Sequence, residues 1–298
     1  MSVIKSLSVG TGDMFYITHG SSNFSIIDCN VTEENLPGIV KELKAQSAGK
    51  EITRFISTHP DGDHFGGIEL LDDAMPIHNF YVVANQATKD SGTDSFTRYC
   101  ELRDGSKAFK IYKGCSRKWM NQSSDERSSS GLNVLWPDTA NADFKAALAD
   151  AADGGSPNNI SAVIRYTLKD GASVLWLGDL ETKFMEAITD HIELTKTTIV
   201  FASHHGRASG KIPDSWLKQL DPQIIVIGEA PSRHLHYYTG YKTVTQNMAG
   251  DITMELLDDK VHFYVSNPTY ANKALIQEDR STFDNYAGSI TVETEYTL

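Results

Sequence analysis

Four side chains able to bind a metal fall within six consecutive positions: His59, Asp61, Asp63 and His64, in the stretch STHPDGDHFGG from Ser57 to Gly67. Imidazole nitrogen and carboxylate oxygen are ligands for divalent first-row ions, and a reactive ion needs at least three such groups plus an open position for water. His59 and Asp61 are two residues apart, so both can face one side of an extended segment. Asp63 and His64 can then serve a second ion close by. Gly62 permits a tight backbone path, and Gly66 and Gly67 allow close approach around it. The competing reading is a polar turn with a helix-capping aspartate; four ligand types in so short a run count against it.

Further candidates follow apolar runs. Asp28 ends NFSIID. Asp179 follows VLWLG, where a carboxylate could bridge two cations or cap a helix starting at Leu180. His204 and His205 follow IVFAS and read as a ligand plus a proton donor. His234 and His236 frame HLH after IIVIG; ordinary loop histidines are an equal reading there. His19, His78, His191 and His262 have no supporting partners nearby and are taken as ordinary.

These positions need strands to deliver them. SVIKSLSVG, DMFYITHG and NFSIIDCN read as a strand meander. A helix is expected from Thr32 as N-cap to Gly49, with Leu36, Ile39, Val40 and Leu43 on one face. EITRFIST is a strand that ends in the first motif, and HFGGIELLDD a helix after it. Strands are expected at HNFYVVAN, GLNVLWPD, TTIVFAS and PQIIVIG, with helices at ADFKAALADAADGG and LETKFMEAITDH. NISAVIRYTLKDGASVLWLGDL reads as a hairpin turning at Asp170-Gly171, and DITMELLDDKVHFYVSN as another. Alternating strands and helices with some hairpins suit an α/β fold of sheets covered by helices. Ligand-type residues placed just after strands converge if those strands share one sheet edge.

The 298 residues suffice for a large core, and the formal net charge of -12 argues against bulk binding of duplex DNA. A local basic segment from Arg103 to Lys118, with Tyr112 and Trp119, offers a phosphate track or simply a solvated face. Three cysteines without Cys-x-x-Cys spacing read as free thiols in a reducing compartment, hence a cytoplasmic location. The opening MSVIKSLSVGTGD does not read as a secretory leader, and no run approaches the ~18 apolar residues of a membrane span.

The ordered motifs resemble the metallo-β-lactamase fold. They look most like the soluble hydrolase domain of competence DNA-uptake channel proteins, the ComEC type. The resemblance rests on VGTGD with Asp13, SIIDCN with Asp28, STHPDGDHFGG, Asn159-x-Ser161 before AVIRYTL, LGDL with Asp179, HHGR, and IGEAPSRHLH. It covers roughly residues 3–248. The more usual superfamily motif is His-x-His-x-Asp-His, whereas this branch often carries aspartate where Asp61 stands. Three positions depart: Arg207 replaces a common serine, APSR lacks an asparagine, and His236 precedes tyrosine instead of proline. These departures concern contacts to substrate more than metal ligands.

The resemblance implies one metallo-β-lactamase-like domain over 1–298, a four-layer αββα sandwich, with two divalent ions, manganese or zinc. Asp61 adds an oxygen ligand and tilts the expectation towards manganese. One ion would use His59, Asp61 and Asp179; the other Asp63, His64, Asp179 and one of His204 and His205, with His204 taken as ligand. Asp63 would handle the water proton, and His205 or His236 would steady charge or protonate the leaving oxygen. Asp28, Asp13, Asn159 and His234 are expected around the ligands or in the pocket. The expected activity is phosphodiester hydrolysis, on single-stranded nucleic acid or a small nucleotide, with no membrane partner. The alternatives are hydrolysis of lactones, thioesters or amides, and a metal-bound sensor module without turnover.

Overall fold

The computed structural model describes residues 1–89 and 92–293. Two sheets form its centre. The nine-stranded sheet runs Tyr286–Thr291, Lys260–Val265, Ile252–Leu256, Ser2–Ser6, Phe15–Thr18, Asn23–Ile27, Ile52–Ser57, Phe80–Val83, Ala108–Ile111. The six-stranded sheet runs Thr243–Thr245, Ile224–Ile227, Ile199–Phe201, Ser173–Trp176, Val163–Thr167, Leu132–Trp136. The first three strands are the expected antiparallel meander, and both expected hairpins form. Strands Asn23–Ile27, Ile52–Ser57 and Phe80–Val83 are parallel, so their C-terminal ends open on the same edge.

The two-residue period of a strand sorts side chains between two cores. Phe15, Ile17, Ile27 and Ile56 point into the space between the sheets and meet Trp176, Val200 and Phe201. Tyr16, Phe24, Ile26 and Phe55 point the other way, onto helices Leu36–Gln46, Ile68–Ala74 and Asp94–Asp104. Helices Ala142–Ala152, Thr182–Ala187 and Asp214–Leu220 add Phe144, Met185 and Trp216 to the core of the second sheet. The result is a four-layer αββα sandwich.

The first helix starts at Leu36, later than expected. Thr32 and Asn35 hydrogen-bond each other across a preceding turn, and Pro37 sits in the first helical turn, where its missing N–H costs nothing. Among the described residues, no helix is long and apolar enough to cross a membrane.

The basic segment is largely absorbed by internal contacts. Arg103 is buried against Asp104, Lys110 donates to the Arg103 carbonyl, Lys113 to the His191 carbonyl, and Arg117 lies 4.4 Å from the Phe109 ring centre. Trp119 is covered by Arg127 at 4.8 Å, leaving Tyr112 exposed.

Candidate metal centre

Each candidate is delivered by a loop at a strand end. Asp28 follows Asn23–Ile27, His59 follows Ile52–Ser57, Asp179 follows Ser173–Trp176, and His204 and His205 follow Ile199–Phe201. Backbone hydrogen bonds stitch these loops together: Asp13 N–H donates to the Asp63 carbonyl, Ala162 to Thr58 and His204 to Gly178. Two glycines permit that closeness. A Cβ on Gly12 would lie 2.6 Å from the Asp63 carbonyl oxygen, and one on Gly178 2.7 Å from Ser161 Oγ. Asp28, His204 and His205 all have left-handed backbone, with φ of 55°, 52° and 53°. Non-glycine residues are rarely held there except where surrounding structure imposes it, as at functional sites.

Four imidazoles converge on Asp179. His64 Nε2 is 3.1 Å from Oδ1; His204, His205 and His59 Nε2 lie 3.6, 3.7 and 3.9 Å from Oδ2. Every one of these rings is tied down through its other nitrogen. His64 Nδ1–H donates to Asp28 Oδ2 at 2.8 Å, and His205 Nδ1–H to Asp13 Oδ1 at 3.1 Å. The Thr58 hydroxyl donates to Asp28, so it accepts from His59 Nδ1–H at 3.1 Å. Ser209 Oγ pairs with His204 Nδ1 at 3.0 Å. Such partners fix the tautomer and aim the Nε2 lone pairs inward, as around bound metals.

Apart from His204 Nε2, the inward atoms lack hydrogen-bond partners. Nε2 of His59, His64 and His205, and both carboxylate oxygens of Asp179, are buried and unsatisfied. A buried carboxylate without compensating charge costs several kcal/mol; His64 and His205 supply that charge to Asp179 here, and bound cations would supply it in their place. Asp13, His64, Asp179 and His205 alone bring four ligand atoms within 4.8 Å of one another. The donor set fits divalent ions.

The electrostatics divide the histidines. Burial alone would lower the pKa of His64, but Asp179 and Asp28 outweigh it and hold the value well above the usual one. His205 behaves likewise: burial is overcome by Asp13 and Asp179, and its pKa is pushed up to about 10. His59 is lowered to about 3 by burial and its neighbour His64, and burial also lowers His204. For Asp179, burial is outweighed by His64 and His205, which hold it well below the carboxylate range.

The remaining candidates are placed as follows. Asp63 Oδ2 is 3.4 Å from His205 Nε2, and its side chain is 26% exposed, on the open side of the cluster. Asp61 accepts from its own helix's Gly62 N–H and pairs with the Lys89 ammonium. His205, expected as a proton donor, is fully buried among the ligand atoms, while the half-buried His204 carries Arg207 Nη1 at 3.4 Å from its Nε2. Asn159 braces the Asp179 turn, accepting from Glu181 N–H at 3.0 Å, and Ser161 Oγ accepts from Asp179 N–H at 3.0 Å. Asp179 caps no helix; Glu181 occupies the N-cap position. His236 is exposed and packs on Tyr237, and His234 bonds the Tyr237 hydroxyl at 3.3 Å; neither ring joins the buried cluster. Sequence reasoning missed Lys89 and Thr58. A hydroxyl just before His59 was the one available signal for Thr58.

No protein-family model and no curated protein matches the chain. Among solved structures, the chain is similar to the BLEG-1 B3 metallo-beta-lactamase, at 15% identity and a TM-score of 0.33, over 59% of this chain and 71% of that one. It is also similar to CmlA, a diiron beta-hydroxylase from Streptomyces venezuelae, at 14% identity and a TM-score of 0.39, over 76% of this chain. The match spans 44% of the CmlA chain, less than half its length.

Proposed function

We propose that the protein is a divalent-metal-dependent hydrolase that cleaves phosphodiesters, in single-stranded nucleic acid or a small nucleotide. One observation carries the metal-dependent part: four imidazoles fixed through Nδ1 aim Nε2 at a buried, unsatisfied Asp179. Asp63, His64, Asp179 and His205 would hold one ion; His59, His204, Asp61 and the shared Asp179 would hold the other. Mixed nitrogen and oxygen donors suit manganese or zinc. The ComEC-like order of motifs supports the phosphodiester class, and three free cysteines fit a cytoplasmic setting.

Bound divalent ions supply electrophilic charge to a phosphoryl oxygen and acidify water near neutral pH. The chain's own groups do the rest. Asp28 and Asp13 keep His64 and His205 in one tautomer. Asp63, held ionised by His205 and His64 against the effect of burial, presents a carboxylate that accepts a hydrogen bond from, and so orients, water on the open side. Arg207 and Lys89 bring positive charge to the mouth, opposite to the chain's net charge of -12, and so favour an anionic substrate there.

The test is hydrolysis of bis(p-nitrophenyl) phosphate by metal-stripped protein given manganese, magnesium or zinc separately, with Asp179→Asn alongside. Restoration by manganese or zinc in the wild type alone is expected. Turnover of a generic ester but of no phosphodiester would overturn the substrate assignment and move the centre to lactone, thioester or amide chemistry.

A further inference from the structure

The two ligand sets that share Asp179 differ in the groups that back their rings. Around His64 and His205 stand four carboxylates: Asp13, Asp28, Asp63 and Asp179. Both imidazoles there are backed by a carboxylate, which raises ligand basicity. Around His59 and His204 the backing groups are the neutral hydroxyls of Thr58 and Ser209. Asp61, the carboxylate assigned above to this second set, acts on His59 through its charge and is already paired with Lys89. The Lys89 and Asp61 side chains are 25% and 35% exposed, so the pair is partly shielded from water and screened less than a surface pair. Lys89 also lies 5.7 Å from the Phe65 ring centre, an aromatic face that favours a cation in this place. Arg207 adds a second permanent cation beside His204 Nε2. One set thus offers a strongly negative pocket, and the other one is close to charge balance before any ion arrives.

We propose that Lys89 is a built-in competitor for the second metal. The reading rests on the cluster being a two-ion centre. The first ion enters the His64–His205 set against no lysine or arginine and displaces only the imidazole protons. The second must displace the Lys89 ammonium from Asp61, so it binds more weakly, and its occupancy is set by the strength of that ion pair. Lys89, once released, is a free cation at the mouth of the site.

The experiment is calorimetric titration of the chelator-stripped full chain with manganese chloride, comparing wild type, Lys89→Met, Asp61→Asn and the double variant. Wild type is expected to bind two ions in separate steps. Lys89→Met should tighten the second step by about tenfold, the scale of one partly shielded ion pair, and leave the first unchanged. Asp61→Asn should weaken only the second step, and in the double variant the gain from Lys89→Met should vanish, since the two residues act through one contact. Lys89→Gln serves the same purpose if the methionine variant folds poorly by circular dichroism. Two ions of equal affinity in wild type, or a second step that Lys89→Met leaves unmoved or weakens, would overturn the role of Lys89 while keeping the metal centre. A chain that binds no ion would overturn both, and none of these results depends on finding the right substrate.

Discussion

The His64–His205 half of the cluster and the His59–His204 half meet at the same carboxylate, yet they sit in opposite fields. In the first, Asp28 and Asp13 stand behind the rings and push both imidazoles towards the charged form. In the second, burial prevails and both imidazoles are held neutral. Ring burial does not explain the contrast, because His59 and His64 are equally enclosed, at 1% and 0% exposure. Neighbouring carboxylates decide it. Residues of one chemical type, aimed at one point, therefore need not bind equivalent ions.

The comparison breaks most sharply at its shared element. Asp179→Asn removes the carboxylate common to both halves, and phosphodiester turnover should fall on the order of a thousandfold, with loss of bound metal by elemental analysis. Retained metal would mean that the two halves are independent. Changes behind the rings come next. Asp13→Asn and Asp28→Asn should each weaken the first ion by about 10–100-fold, measured by competition with a chromogenic chelator. Ser209→Ala should move that step little, because its hydroxyl backs His204 alone; an equal effect would erase the distinction between the halves.

A smaller effect is expected where the support is structural. Asn159→Ala frees the Glu181 N–H that steadies the Asp179 turn, and should cost about 1 kcal/mol in urea unfolding of the metal-free chain. The smallest effect comes from a buried histidine outside the centre. His19 pairs with Ser25 Oγ at 2.9 Å, and burial and the nearby Arg54 and Lys50 depress its pKa well below the usual value. The unfolded chain therefore binds a proton at about pH 6.5 that the folded chain refuses, and stability is lost as pH falls below that point. His19→Gln should flatten the acid limb of a stability profile. An unchanged limb would mean that burial beside Arg54 and Lys50 does not hold His19 neutral.

Much of this was legible in the sequence, for identifiable reasons. Apolar runs ending in Asp28, His59, Asp179 and His204 marked strand ends, but the ends lie on two sheets: parallel strands bring Asp28 and His59 together in the nine-stranded one, and Asp179 and His204 in the six-stranded one. STHPDGDHFGG carried its ligand types openly. Other features are set by contacts distant in the chain. His205 is anchored by Asp13, 192 positions away, and nothing local distinguishes it from His204. The left-handed backbone that turns both rings inward has no signature in a non-glycine residue. Lys89 lies in an ordinary polar stretch, so its hold on Asp61 could not be read, and most partners of the basic segment around Arg103 are backbone carbonyls and aromatic rings, which carry no charge to signal them.

The most direct test of the centre is an anomalous difference map from crystals of the chain soaked in manganese. The account predicts a strong peak bounded by Asp63, His64, Asp179 and His205, and a weaker one beside His59 and His204 that grows in the Lys89→Met variant. A map with no peak against Asp179, or with its principal peak elsewhere on the molecule, would contradict it.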